Sequence, residues 1–105
     1  MINSRKLNRT MASEKVEVLF YKVITKDGKR MLKPLGFTTK VSLGVVRAIL
    51  DNTVIPSFYD VLSKNLIERG VAAGSKVQLR AKFTESHTML NPELKGTRIL
   101  CEVEV

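Results

Sequence analysis

Residues 14–26, EKVEVLFYKVITK, followed at once by Asp27-Gly28, set the reading of this chain. The stretch is dense in β-branched and aromatic residues, the types that fit a pleated, half-buried surface. Period-two alternation puts Val16, Val18 and Phe20 on one face and Leu19, Tyr21 and Val23 on the other. A first strand with apolar groups on both faces predicts cover on both sides or a contact with a second copy. Gly28 tolerates positive φ and Asp27 can bond its own backbone, so the chain is expected to turn back. The return segment, KRMLKPLGFTTK, is less regular. Pro34 lacks a ladder donor and belongs at an edge, a bulge or a strand end, and Gly36 marks a bend.

Beyond the hairpin the period changes. Ser42 is placed to cap a short helix whose stripe is Val45, Val46, Ile49 and Leu50. Gly44 weakens that helix by about 1 kcal/mol relative to alanine, so packing must hold it. Asp51-Asn52 ends it, and Pro56 suits the first turn of a second helix. There Ile55, Phe58, Tyr59, Leu62, Leu66 and Ile67 recur at helical spacing, broadened by Val61, and Asp60 and Lys64 form an i,i+4 pair. Gly70 stops it. Gly74 opens a strand with Val77, Leu79, Ala81 and Phe83 inward and Lys76, Gln78, Arg80 and Lys82 outward. Residues 85–96 read as a loop. The closing strand, TRILCEVEV, alternates Ile99, Cys101, Val103 and Val105 inward against Arg98, Leu100, Glu102 and Glu104 outward.

The expected architecture is α+β: a mixed, mainly antiparallel sheet of about four strands with two helices on one face, in the order β-β-α-α-β-β. With 105 residues there is room for one core. Residues 1–13 read as a flexible basic arm and residues 14–105 as a single domain.

Charge narrows the function. Eighteen Lys and Arg stand against ten Asp and Glu, a net +8. Residues 1–50 hold eleven of the cations and three of the acids, whereas residues 51–105 hold seven of each. A cationic field confined to one half of a chain steers a polyanion. Candidate nucleic-acid contacts are therefore Arg5, Lys6 and Arg9 in the arm, and Lys22, Lys26, Lys29, Arg30, Lys33 and Lys40 around the hairpin. Arg80 and Lys82 add an outward strand face, unless Glu102 and Glu104 pair beside them and cancel it. Tyr21 and Phe37 either stack on exposed bases or pack in the core.

Little in the chain suggests catalysis. His87 has no second histidine with which to build a zinc site, and a Cys101–His87 dyad would need an inward thiol to be exposed and activated. The glycines of residues 70–74 lack the Lys-Ser/Thr ending of a phosphate loop. No cofactor and no metal are expected. With one cysteine there is no internal disulfide, and the longest apolar runs are too short to span a membrane. The chain reads as cytoplasmic.

Residues 41–83 resemble bacterial histone-like (HU-family) DNA-binding proteins. The likeness rests on an amphipathic helix (Val45, Val46, Ile49), a second helix with an early acid (Asp60, Val61, Leu62), and a Gly-x-x-Val-x-Leu strand (Gly74, Val77, Leu79, Phe83). It implies dimerisation through helices and strands and an embrace of DNA by β-arms. Two features depart from the family. Arg80-Ala81-Lys82 stands where a glycine-rich turn is usual, and residues 87–96 are short and weakly basic for an arm.

The sequence thus predicts a small, non-enzymatic nucleic-acid-binding accessory protein that contacts DNA or RNA mainly through phosphates. The rival reading is a protein-interaction module, a structural subunit, inhibitor or adaptor, for an acidic protein surface. A homodimer is compatible with both.

Overall fold

The computed structural model describes residues 14–53 and 55–105. Strands β1 (Lys15–Lys26) and β2 (Lys29–Ser42) form the hairpin. Helices α1 (Leu43–Leu50) and α2 (Pro56–Glu68) follow, then β3 (Lys76–Lys82), a short helix α3 (Glu85–Leu90) and β4 (Thr97–Glu104). The four strands make one antiparallel sheet in the order β2-β1-β3-β4, with the helices on one face. β1 and β3 are therefore central, and β2 and β4 are the edges.

The hairpin turn is made by Asp27 at φ 54° and Gly28 at φ 74°. Two successive positive values match the right-handed twist of the flanking strands, which is why Asp-Gly works there. Ser42 accepts a bond from the Val45 N–H at 3.3 Å and caps α1, and Asn52 at φ 62° leads the chain out of it.

Both core clusters lie between the helices and the sheet face that carries Val16, Val18 and Phe20. Under α2, Leu62 and Leu66 pack on Val18, Phe20, Val77 and Leu79, closed by Val71. Under α1, Leu43 and Val46 meet Val16, Ala81, Phe83 and Leu94. Two helical positions differ from the sequence expectation: Val61 and Ile67 face outward, because Leu62 and Leu66 already fill the seam against the sheet. Among the described residues, Asp60 and Lys64 make no ion contact.

Two bulges reset the strand pattern. In β2, Leu19 faces Thr38 and Tyr21 faces Pro34, so Leu35, Gly36 and Phe37 together oppose Phe20. This irregularity absorbs Pro34 and Gly36 (φ 82°) into a single 14-residue strand. In β4, Leu79 faces Cys101 while Arg80 faces Ile99, which leaves Leu100 as the extra residue. That one insertion corrects the simple alternation: Ile99 is 55% exposed, and Leu100 packs against both core clusters.

The segment expected to be a loop contains α3, and a buried histidine explains why. His87 is 3% exposed. Its Nδ1 accepts the Thr84 backbone N–H at 3.0 Å, so the proton sits on Nε2, which donates to the Lys15 carbonyl at 2.9 Å. At the third helical position it does the work a glutamate does in a capping box, and it ties α3 to the start of β1. His87→Ala leaves a donor and an acceptor without partners, and is expected to lower the unfolding free energy by about 2 kcal/mol. Urea denaturation followed by circular dichroism checks this, and a change below about 0.5 kcal/mol, the range of an ordinary surface substitution, overturns the tether.

Candidate nucleic-acid interface

The geometry of the hairpin sorts its cations. β1 pairs with β3 only from Glu17 to Lys22, whereas it pairs with β2 as far as Lys26. The last rungs, with the Asp27-Gly28 turn, therefore project past β3 as a two-stranded ribbon. At about 3.3 Å per residue the overhang reaches roughly 10 Å.

Three cross-strand pairs occupy one face of this ribbon: Lys22 opposite Lys33, Ile24 opposite Met31, and Lys26 opposite Lys29. These β1 positions continue the alternation of Val16, Val18 and Phe20; Lys22 and Ile24 are half-buried, whereas Lys26, Lys29, Met31 and Lys33 are exposed. Like charges directly opposite one another destabilise a hairpin. Among the described residues no carboxylate lies within ion-pair distance of any of the four lysines. Met31 is 54% exposed between the two lysine pairs.

Arg30 does not belong to that set. It faces Thr25 on the opposite side of the ribbon, and its guanidinium pairs with Glu102 of β4. Glu102 also accepts a bond from Gln78 Nε2 at 2.9 Å and lies 3.8 Å from Lys76 Nζ. Arg80 is likewise engaged: its Nε donates to Gln78 Oε1 at 2.7 Å, and its guanidinium lies 4.9 Å from the Tyr21 ring centroid. The acidic neighbours weighed from the sequence thus do bear on this face, through Glu102.

Lys40 and Lys82 flank Glu17 across three adjacent strands. With Lys15, Thr84 and His87 they line a hollow of about 230 Å³ at the far end of the sheet from the ribbon. Lys15 was not among the sequence candidates; only the register brings it to Lys40 and Lys82. Arg5, Lys6 and Arg9 lie outside the described residues.

Neither candidate stacking ring is open. Tyr21 is covered by Arg80, and Phe37 packs at 5.3 Å on Phe20 with the Arg69 guanidinium 4.6 Å from its centroid. Cys101 is half-buried under α2. Burial pushes its thiol up from the usual range, opposed by the neighbouring Tyr59 hydroxyl; Tyr59 itself is pushed up by burial and then by Cys101. Both groups therefore stay protonated at neutral pH. Among the described residues there is no group of three or more His, Cys, Asp or Glu side chains placed to hold a metal, and no helix long and apolar enough to cross a membrane.

Compared with family models, curated proteins and solved structures, the chain matches none.

Proposed function

We propose that this protein is a small nucleic-acid-binding accessory protein that grips phosphates with the lysine face of its β1–β2 ribbon. The observation that carries the reading is the pairing of Lys22 with Lys33 at the base of the ribbon and of Lys26 with Lys29 at its exposed tip, on one face. Such an arrangement costs hairpin stability unless a polyanion lies across it. The two lysine pairs are four residues apart, about 13 Å along the ribbon, a span suited to successive phosphates. Lysine contacts of this kind position the backbone and read no bases.

Duplex is the favoured form. A two-stranded ribbon fits a B-form major groove about 12 Å wide. Binding of single strands draws on free aromatic faces, and Tyr21 and Phe37 are both occupied.

Anisotropy with labelled duplex DNA, single-stranded DNA and RNA over a salt series tests the proposal. Four neutralised phosphates give a log–log slope of affinity against salt of about −3.6 on duplex DNA. Duplex DNA is expected to bind most tightly. Absence of binding to all three at low salt ends the reading.

A further inference from the structure

A second surface lies between the outer edge of the sheet and α2. Two contiguous hollows of about 210 and 220 Å³ run along it and share Thr39, Leu62 and Asn65. One wall is β2 from Phe37 to Val41, and the other is the exposed side of α2, where Val61 is 58% exposed.

Beside this cleft runs the outer edge of the described sheet. β2 is an edge strand, and no other strand pairs with its free side among the described residues. Exposed edges are normally blunted by proline, bulges or charge. Here those devices cluster at Pro34–Phe37, whereas Phe37–Val41 is straight and carries only Lys40. An extended segment laid along it finds main-chain partners on one side and hollows for alternate side chains on the other.

We infer that this edge and cleft dock an extended acidic peptide of a partner protein by strand addition, with alternate apolar side chains seated beside Val61 and Leu62. Charge decides the occupant. Lys40 stands at one end of the cleft and Arg69 at the other, against Glu68 alone among the lining residues, on a chain of net +8. A second copy of this chain is disfavoured, because antiparallel pairing of two β2 edges about Thr39 would bring both Lys40 residues to the same face one diagonal step apart. The surface is separate from the lysine ribbon, so one partner can be bound while the other is held.

The test uses the full chain and an acetylated, amidated octapeptide of alternating glutamate and valine, with a lysine–valine counterpart. The glutamate peptide is expected to bind more tightly, shifting the amide resonances of Phe37–Val41 and of α2. In an added strand only alternate amides face the edge. Methylating the amide nitrogens of every second residue should therefore abolish binding in one phase and spare it in the other. Val61→Glu should weaken binding about tenfold with an unchanged melting temperature, since the residue is exposed. Arg69→Glu should erase the preference for the acidic peptide. Replacing the four ribbon lysines should leave peptide binding intact, which separates this inference from the nucleic-acid reading. Equal binding by both methylated phases, shifts confined to residues 22–33, or a dimer in sedimentation with the Phe37–Val41 amides protected would each overturn it.

Discussion

Replacing Lys22, Lys26, Lys29 and Lys33 together by glutamine is expected to lower affinity for duplex DNA about a thousandfold at roughly 0.1 M salt and to remove nearly all of the salt slope. Each lysine that neutralises a phosphate adds about 0.9 to that slope, so four losses account for most of it. The control is Arg30→Gln, whose side chain is paired with Glu102 on the other side of the ribbon and should barely change the slope. Single substitutions give a sharper result. Lys26→Glu turns a repulsive pair with Lys29 into an attractive one, which should stabilise the fold by about 0.5 kcal/mol while weakening binding. Opposite signs in the two measurements mark residues kept for a partner. Loss of both stability and binding would mean that the lysines only support the hairpin, and an unchanged slope in the quadruple variant would place the contact elsewhere.

The second large effect concerns the core. Leu79 is fully buried at the centre of β3, between Phe20 on β1 and Cys101 on β4 and beneath Leu62 and Leu66. Leu79→Ala should cost about 3–5 kcal/mol, the removed methyls plus the cavity they leave. A domain of this size has a total stability of roughly 5–15 kcal/mol, so the variant is expected to sit near its unfolding midpoint in little urea. The same titration decides the β4 bulge. Leu100→Ala should cost at least about 2 kcal/mol and Ile99→Ala under about 0.5 kcal/mol, since only the former is packed. Uninterrupted alternation would require the reverse.

Much of the fold was legible because several local preferences agreed. Strand period, the Asp27-Gly28 turn, the Ser42 cap and the Pro56 helix start each pointed to the observed element. The misreadings have specific causes. In β4, Ile99 and Leu100 are equally apolar, so nothing local shows which one is the extra residue; the register against Leu79 and Arg80 decides it. Helix α3 escaped notice because its cap partner is a histidine, whose other nitrogen is satisfied 72 residues away by the Lys15 carbonyl. For the candidate site, the cationic hairpin was visible in composition alone. Which lysines share a face follows from the two-residue Asp27-Gly28 turn, since the register runs unbroken from Lys26 opposite Lys29 to Lys22 opposite Lys33, but Arg30 cannot be told from its neighbours without the pairing to Glu102.

The irregular Pro34–Phe37 segment has a wider consequence. Three β2 residues stand against Phe20 where a regular ladder would have one, an excess of two. An even surplus conserves parity: Val41, Thr39 and Phe37 look toward the helices, and Lys33, Met31 and Lys29 keep the same orientation on the far side of it. The face each residue takes is set by its partner on β1, so a change in length at Leu35-Gly36 is absorbed within the bulge as long as Lys33 stays opposite Lys22 and Lys29 opposite Lys26. Insertions and deletions at this spot are therefore compatible with the lysine ribbon while the Asp27-Gly28 turn holds that register.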